Sequence, residues 1–397
     1  KDAFEGVQIF GGIGSGKTSG SGKTIAKSFL KNGFGGLVMC AKKGESIEWL
    51  NYAIEMGRWE DIVVMGKKNK FELWSEYLEK KAKNSTDKEA QKAVENFKNQ
   101  FSWQAGNDRK FNPLQYEMTR EGEGAGEVFN LTNLFMELYK MGSRFSGGGG
   151  SGGDDRYWDM ALKRCMNRMI QLLILAGKEI SVENMRRLLS TAPTEDEVDE
   201  IYHPTLDKID GISEEEYDEF NKQFAEPNFC IHCIIEAEFR YEEKTAYEYN
   251  LVSTYFLRQF AKLDEKTRSI VSESFLGLAE PFLSGILKTY FSSDTNLRPE
   301  ITFEGKIIIL DFSVKEYLQA GVYAQGIFKL LWQQAIERRD TDIYPMPTFL
   351  WVDESQYFVN EYFSHIDLSD PALDRMPAIY ETFRDYTTTL VAIRYDQ

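Results

Sequence analysis

The chain has 397 residues, of which 42% are hydrophobic and 28% charged, so it is globular rather than disordered and long enough for one large domain with an insertion, or for two domains. Its 63 acidic and 47 basic residues give a net charge of −16, which argues against a surface that attracts nucleic acid throughout but leaves room for a local basic lining. The four cysteines favour a reducing compartment, and no apolar run approaches the roughly 20 residues that span a bilayer, so we expect a soluble fragment.

The first predicted element is a short strand, VQIF (7–10), followed by the glycine-rich segment GGIGSGKTSGSGKT (11–24). This segment contains Gly-Lys-Thr twice. A phosphate-binding loop needs the pattern Gly-x-x-x-x-Gly-Lys-Ser/Thr between a buried strand and a helix. Residues 11–18 fit the pattern, whereas the second copy has Lys17 where its first glycine is required. The first copy is therefore the predicted phosphate loop.

In this loop the backbone N–H groups of residues 13–18 are expected to surround the phosphates of ATP, helped by the positive end of the next helix. Lys17 would neutralise the β- and γ-phosphates, and Thr18 would ligate Mg²⁺. Lys23 and Thr24, in the second copy, are expected on the surface of the helix. The residues predicted to contact the nucleotide are Gly11, Gly12, Gly14, Ser15, Gly16, Lys17, Thr18 and Ser19.

Further along the chain, short apolar runs alternate with helical patterns. GGLVMCA (35–41), DIVVMG (61–66) and TTLVAIR (388–394) are typical of strands. The apolar residues between 323 and 335 recur at spacings of three and four, which predicts a helix. The alternation predicts an α/β fold with a mostly parallel sheet and a nucleotide at the carboxyl ends of its strands. We expect residues 1–154 and 296–397 to form this nucleotide-binding domain.

Two segments interrupt the first part of that domain. The segment 72–107 is rich in Lys, Glu, Asn and Gln, and is best interpreted as a solvated charged helix. Because Lys67, Lys68 and Lys70 lie nearby, contact with DNA is an alternative. The second segment, SGGGGSGGDD (146–155), has no core-forming residue and is interpreted as a flexible loop or an artificial linker.

Residues 155–295 show many helical patterns and few strand signals. The first helix is predicted from apolar residues at spacings of four, three, four and four, which are Trp158, Leu162, Cys165, Met169 and Leu173. We expect this region to be an all-α domain inserted into the α/β domain.

The sequence FCIHC in that region places Cys230, His232 and Cys233 close together. A structural zinc site usually has four ligands, commonly in two separated pairs. The chain has no second pair of cysteines. The three residues are therefore predicted to be buried on a helix rather than to bind zinc.

Near the end of the chain, two apolar runs end in an acidic residue that could complete the nucleotide site. KIIILDF ends in Asp311 alone, which is interpreted as a turn residue that closes a core strand. TFLWVDES ends in Asp353 and Glu354. Asp353 can hold the hydration shell of Mg²⁺, and Glu354 can accept a proton from the attacking water. The adjacent pair therefore favours hydrolysis over simple binding.

Taken together, several motifs resemble one family. GGIGSGKTSGSG, FGGLVMCAKKGE, FNPLQYE (111–117), DRYWDMALKR (155–164) and LWVDESQYF (350–358) resemble, in this order, motifs of the coupling proteins of type IV secretion and conjugation. These proteins belong to the FtsK/HerA group of RecA-like motors. The resemblance covers most of the chain, and it implies an all-α domain inserted in a RecA-like phosphate-loop domain.

The resemblance implies an ATP-driven hexamer that moves DNA, nucleoprotein or protein substrates into a secretion channel. DNA and channel proteins are then the partners, and the all-α domain meets the substrate or its carrier. Lys17, Thr18, Asp353 and Glu354 take the family's nucleotide-site roles, and Arg384 takes that of an arginine that reaches a neighbouring subunit's nucleotide. Such an arginine stabilises charge on the transferred phosphoryl group.

Many family members carry N-terminal membrane helices that this sequence does not contain. The resemblance therefore implies a place at the cytoplasmic face of the bacterial inner membrane, anchored through a segment outside the sequence, while the fragment itself can be a monomer. The family's γ-phosphate sensor, a Thr-Gln pair after the last strand, is replaced by a run in which Arg394 and Gln397 are the candidates.

Three alternatives to a coupling protein stay open at this stage. A DNA translocase of the same superfamily, acting in partition or repair, would be expected to lack the inserted all-α domain. A nucleotide-gated docking scaffold would recruit a relaxase-type partner and use ATP only to switch assembly. A small-molecule kinase has little support, because no Arg-rich lid segment follows the loop.

Overall fold

The computed structural model describes residues 7–9, 18–83, 92, 95, 97, 108–145, 153–240, 245–354, 357, 358 and 388–393. The chain divides into two compact units. Unit 1 comprises Lys1–Pro113 and Ser293–Gln397, and unit 2 comprises Leu114–Ser292.

Unit 1 is built on a six-stranded sheet in which every pair of neighbouring strands is parallel. The strands, in chain order, are β1 Val7–Ile9, β2 Gly35–Met39, β3 Ile62–Gly66, β4 Ile307–Asp311, β5 Thr348–Val352 and β6 Thr388–Ile393. Their order across the sheet is β1-β6-β5-β2-β4-β3. The prediction of an α/β fold with a parallel sheet is confirmed.

The α-helices complete the list of regular elements. In chain order they are α1 Lys23–Lys31, α2 Glu45–Glu55, α3 Lys70–Lys83, α4 Pro113–Thr119, α5 Val128–Phe145, α6 Gly153–Leu175, α7 Val182–Ser190, α8 Glu195–Glu197, α9 His203–Ile209, α10 Glu214–Phe224, α11 Phe229–Phe239, α12 Ala246–Thr254, α13 Glu265–Ala279, α14 Gly285–Phe291 and α15 Val314–Arg338. None of the described helices combines the length and apolar character that a membrane span requires.

Helices cover the sheet because its strands are apolar on both sides. In β4, Ile307 and Ile309 belong to a cluster that includes Phe29 of α1 and Trp49 of α2. The alternate residues Ile308 and Leu310, which point to the opposite face, are also fully buried. Such continuous apolar runs are typical of parallel strands that are covered on both faces.

The paired glycines of β2 are explained by close packing. A Cβ atom at Gly35 would lie 1.9 Å from the carbonyl oxygen of Thr302, and one at Gly36 would lie 2.7 Å from the ring of Phe349. Any larger residue would push β2 away from its neighbours. The glycines therefore let this central strand sit between β4 and β5.

A buried glutamine of α15 ties this helix to the ends of two strands. The side-chain oxygen of Gln325 accepts a hydrogen bond from the Cys40 N–H at 2.8 Å. Its amide nitrogen donates to the carbonyl oxygens of Cys40 and Phe312, each at 2.9 Å. Cys40 follows β2 and Phe312 follows β4, so one side chain fixes the backbone where both strands end.

The Gln325 interaction predicts a specific loss of stability. Replacing Gln325 by Leu leaves one buried N–H and two carbonyl groups without their partner, and should lower the free energy of unfolding by roughly 2–4 kcal/mol. Gln319→Leu, at an exposed position of the same helix, is the matched control and should change it by less than about 0.5 kcal/mol. Urea unfolding of both variants measures the difference, and equal losses would contradict this role of Gln325.

All regular elements of the described residues in unit 2 are helical. Residues Phe229–Ile235 of α11, which include Cys230, His232 and Cys233, are all buried. His232 and Glu236 form an ion pair, with 3.4 Å between Nε2 and Oε1, and a hydrogen bond from His232 lowers the pKa of Glu236 to about 2. Cys230, His232 and Cys233 are therefore buried residues of α11.

Unit 2 begins before the region for which an inserted domain was expected. Helix α5 packs against α6, and both belong to the unit that starts at Leu114. The domain limits at 154 and 295 stay a prediction.

Candidate functional site

The strand that precedes the predicted glycine-rich loop and the strand that precedes the acidic pair end at the same edge of the sheet. Ile9, the last residue of β1, pairs with Ile393, and Val352, the last residue of β5, pairs with Ala392. The ends of β1 and β5 are thus offset by one residue along the strand direction, with only β6 between them. Two strand spacings correspond to about 10 Å. A triphosphate with its metal ion can bridge such a gap.

The described residues include only part of the predicted site. Asp353 and Glu354 are described in full. For Thr18 and Ser19 the backbone is described, and it begins a helical turn, Thr18–Gly22, that leads into α1. The remaining predicted residues lie outside the described part of the chain, and they are Gly11, Gly12, Gly14, Ser15, Gly16, Lys17, Arg384, Arg394 and Gln397.

The start of this helix bears on which Gly-Lys-Thr copy is the phosphate loop. Helical backbone is already present at Thr18, and Gly22 has helical dihedral angles of −59° and −49°. The second copy therefore lies inside a helix, where its backbone N–H groups cannot wrap around a phosphate. The assignment of the phosphate loop to the first copy stays a prediction, because residues 11–17 lie outside the described part of the chain.

The sequence placed Lys23 on the surface of the helix, and the structure shows that it is only partly exposed. Its side chain is half-buried, with Nζ 5.8 Å from the centre of the Tyr52 ring, and it lines a small space together with Glu48 and Asp353. Thr24 is exposed, as expected. The lysine of the second copy thus contributes positive charge next to the acidic pair.

Asp353 is buried at the end of β5, and it lies against a second buried acid. One oxygen of Asp353 accepts a hydrogen bond from the Glu354 N–H at 2.9 Å. Its neighbour is Glu45, the first residue of α2, whose Oε2 accepts a hydrogen bond from the Ala41 N–H at 2.7 Å. Burial, followed by the charge of Asp353 and a hydrogen bond with it, raises the pKa of Glu45 to about 9. Burial and the neighbouring charge of Asp353 thus favour the protonated form of Glu45.

Neither acid is surprising in the sequence, but their pairing was not predicted. Glu45 lies in the first turn of α2, where an acidic residue is common. It reaches Asp353 because β2, which leads into α2, is the direct neighbour of β5. Glu48 of α2 is also close enough to Asp353 to be affected, since burial and the charge of Asp353 raise its pKa.

The raised pKa of Glu45 predicts a pH-dependent stability. Between its usual value of 4.5 and about 9, the folded state binds one more proton than the unfolded chain, so this contribution is complete below pH 4.5 and is lost as the pH rises towards 9. Glutamine keeps a donor but binds no proton. The stability deficit of Glu45→Gln relative to the wild type should therefore shrink by up to about 1.4 kcal/mol per pH unit between pH 5.5 and 8.5.

Urea unfolding at several pH values measures this change. Glu55→Gln, on the exposed part of the same helix, is the control. A hydrogen bond from Lys27 lowers the pKa of Glu55, so its contribution is present throughout this pH range and the difference from the wild type should stay constant. A constant difference for Glu45→Gln as well would show that Glu45 is ionised in the folded protein.

Glu354 combines a strained backbone conformation with an ion pair to a lysine that follows the neighbouring strand. Its φ angle is 49°, in the left-handed region that non-glycine residues rarely adopt. Its side chain is 6% exposed and forms an ion pair with Lys42, with 2.5 Å between Nζ and Oε1. Strain of this kind persists only where the surroundings enforce it, and it is common at functional sites. Lys42 follows β2, so the same strand adjacency that brings Glu45 to Asp353 brings Lys42 to Glu354.

Removing Lys42 should destabilise the protein through Glu354. Lys42→Met leaves a buried carboxylate without its cation, and we expect a loss of about 1–3 kcal/mol in the free energy of unfolding. The adjacent Lys43→Met is the control, because the Lys43–Glu316 pair is on the surface and should contribute at most about 1 kcal/mol. In a Glu354→Gln background the effect of Lys42→Met should largely disappear. A double-mutant cycle that shows no coupling would contradict the interaction.

The other acid considered from the sequence, Asp311, lies away from this pair. It ends β4, which is separated from β5 by β2. Burial raises the pKa of Asp311 to about 6, while a hydrogen bond with Ser46 opposes this shift. Its position agrees with the interpretation as a residue that closes a core strand.

Asp353 is a suitable protein ligand for a magnesium ion that binds together with a nucleotide. Among the residues that the structure describes, no group of three or more His, Cys, Asp or Glu is arranged to hold a metal ion. Magnesium bound with a nucleotide usually takes one or two protein ligands, and phosphate and water oxygens complete the shell. A single buried carboxylate at the carboxyl edge of the sheet is therefore a suitable donor set, with Thr18 as the second ligand expected from the sequence.

No protein-family model matches the chain, and no curated protein is significantly similar to it.

Proposed function

We propose that the carboxyl edge of the sheet binds and hydrolyses Mg²⁺-ATP. The observation that carries the proposal is the register of the sheet, which ends β1 and β5 within one residue of each other at the edge where Asp353 and Glu354 lie. The helical turn from Thr18 supports it further, because the first turn of a helix carries partial positive charge that favours phosphate binding.

Each residue has a separate role in this proposal. Lys17 and the loop amides bind the phosphates, and Thr18 and Asp353 hold the magnesium ion. The ion supplies charge neutralisation on the phosphate oxygens. Glu354 orients the attacking water and accepts its proton. Glu45, the buried neighbour of Asp353, packs against this ligand.

The Glu354 carboxylate forms an ion pair with the ammonium group of Lys42. Hydrolysis in this scheme requires the Glu354 side chain to turn from Lys42 towards the water. The strained backbone at Glu354 makes the paired conformation less stable than it would otherwise be.

We further propose that the chain is the ATPase part of a coupling-protein-like motor of the RecA-like class. The support is the resemblance of its motifs, together with the parallel α/β sheet of unit 1 and the helical unit 2. Hydrolysis between subunits of a hexamer, assisted by Arg384, would drive DNA or a nucleoprotein towards a secretion channel. The complex would be anchored at the cytoplasmic face of the inner membrane through a segment outside this sequence.

Replacing Glu354 by Gln tests the catalytic part of the proposal. The variant loses the proton acceptor but keeps the shape of the side chain, so phosphate release should fall by roughly 10²- to 10⁴-fold while ATP affinity is retained. Glu316→Gln, at an exposed acid on the same edge of the sheet, is the control and should keep the wild-type rate. Steady-state phosphate release and binding of a fluorescent ATP analogue are measured on samples of known assembly mass.

Two results would contradict the proposal. If the wild-type chain binds ATP in no assembly state, the proposed nucleotide site is wrong. If Glu354→Gln hydrolyses ATP at the wild-type rate, the proposed catalytic role of Glu354 is wrong. In cells, loss of DNA transfer with this variant supports a motor. Retained transfer without ATP turnover supports a nucleotide-gated docking scaffold instead.

A further inference from the structure

A second cavity lies at the carboxyl edge of the same sheet, on the side of β4 and β3. Its volume is about 490 Å³, and Asp311, the last residue of β4, forms part of its wall. Four of the residues that line it are lysines, namely Lys43 after β2, Lys67 and Lys68 after β3, and Lys80 on α3. We call it the lysine cavity.

The charges in the lysine cavity leave an excess of cations. Lys43 pairs with Glu316 at 2.6 Å, and Lys68 pairs with Glu76 at 2.5 Å. In the part of the chain that the structure describes, neither Lys67 nor Lys80 takes part in an ion pair, and both are exposed. The third acid of the cavity, Asp311, is half-buried at the end of β4, so the four lysines exceed the acids by one charge.

The start of α2 adds to the positive potential. Gly44, Ser46 and Ile47 line the lysine cavity, and they belong to the first turn of this helix or directly precede it. The unpaired N–H groups of a first helical turn carry partial positive charge. An anion in the cavity would therefore meet both lysine side chains and the positive end of a helix.

Further lysines follow the cavity at the end of α3. The last turn of this helix carries Lys80, Lys81 and Lys83, and three glutamates precede them on the same helix. A small anion would contact only the lysines of the cavity. A charged polymer could contact Lys81 and Lys83 as well.

Aromatic rings are exposed to the same cavity. Tyr77 of α3 and Tyr317 of α15 line it, and both side chains are only partly buried. Tyrosine rings next to lysines are the combination with which proteins bind single strands, because bases stack on the rings while phosphates contact the cations. Bases in a duplex are stacked on each other and cannot use these rings.

The backbone next to Tyr317 is also strained. Leu318, the next residue, interrupts α15 with a φ of 50° and a ψ of −130°, although its side chain is 69% exposed. An exposed leucine gains nothing from this conformation through core packing. Strain of this kind is concentrated at binding and catalytic sites.

We propose that the lysine cavity and the lysines that end α3 bind a single-stranded nucleic acid. Lys67 and Lys80 contact its phosphates, and Tyr77 and Tyr317 stack on its bases. The inference rests on the proposed motor function for its purpose, since the strand would be the substrate that is moved. Binding itself requires no ATP, so it is measured separately.

Fluorescence anisotropy with a labelled dT20 oligonucleotide, in the absence of nucleotide, tests this site on the full chain. K67E/K80E reverses the two unpaired charges and should weaken binding at least tenfold. K31E/K266E has the same change in net charge at two exposed lysines outside the cavity, and should stay within about twofold of the wild type. In the charge-neutral variant K67Q/K80Q, the slope of log Kd against log salt should fall by about 1.4, because each phosphate contact on a single strand contributes about 0.7.

Several results would overturn the inference. One is the absence of dT20 binding by the wild type, and another is equal weakening by K67E/K80E and K31E/K266E, which would indicate attraction by net charge alone. Competition by a 20-base-pair duplex or by inorganic phosphate as effective as that by unlabelled dT20 would also reject a single-strand site. Preferential binding of an acidic peptide would identify a protein-binding surface instead.

Phosphate release measured on the same samples separates this inference from the proposed function. ATP hydrolysis without dT20 binding contradicts the lysine cavity alone. Binding of dT20 that depends on Lys67 and Lys80, in a chain that does not hydrolyse ATP, supports the cavity and contradicts the proposed hydrolysis.

Discussion

The common direction of the six strands is the constraint on which the rest of the structure depends. Because all neighbouring pairs are parallel, every strand delivers its carboxyl end to the same edge of the sheet. That edge therefore collects residues that are far apart in the chain, such as Lys42 and Glu354. The order of the strands then decides which of these residues touch. Because β2 lies between β5 and β4, the acidic pair after β5 and the lysine cavity beside β4 are separated by one strand.

The acidic residues at this edge have three physically different environments. Burial and the neighbouring charge of Asp353 raise the pKa of Glu45 to about 9 and so favour its protonated form. Glu354 forms an ion pair with the ammonium group of Lys42. Burial raises the pKa of Asp311, and a hydrogen bond with Ser46 opposes this shift. Positive charge near Asp353 would lower the pKa of Glu45, because part of its shift comes from the charge of Asp353.

The sequence was sufficient for the parts of the fold that depend on local pattern. Apolar runs located the strands, and the Asp353–Glu354 pair marked the end of β5. It was not sufficient for contacts that depend on strand order. Gly35 of β2 pairs with Thr348 of β5, and no local signal shows that such distant segments are neighbours. The roles of Lys42 and Glu45 follow from that pairing alone. Lys23 was assigned to the surface because a helical repeat does not reveal that this side of α1 lies near Asp353.

The turn after β2 links the two charged regions of the edge through two consecutive residues. Lys42 extends to Glu354, while Lys43 extends in the other direction to Glu316 beside the lysine cavity. The backbone just before them is fixed, because Gln325 binds both polar groups of Cys40, and Ala41 bonds through its N–H to Glu45 and through its carbonyl oxygen to the Lys315 N–H. The turn is held beyond Lys42 as well, since Lys43 pairs with Glu316 and the carbonyl oxygen of Gly44 accepts a hydrogen bond from the Glu48 N–H. Gly44 has a φ of 93°, which only glycine adopts easily, and with this conformation the chain enters α2.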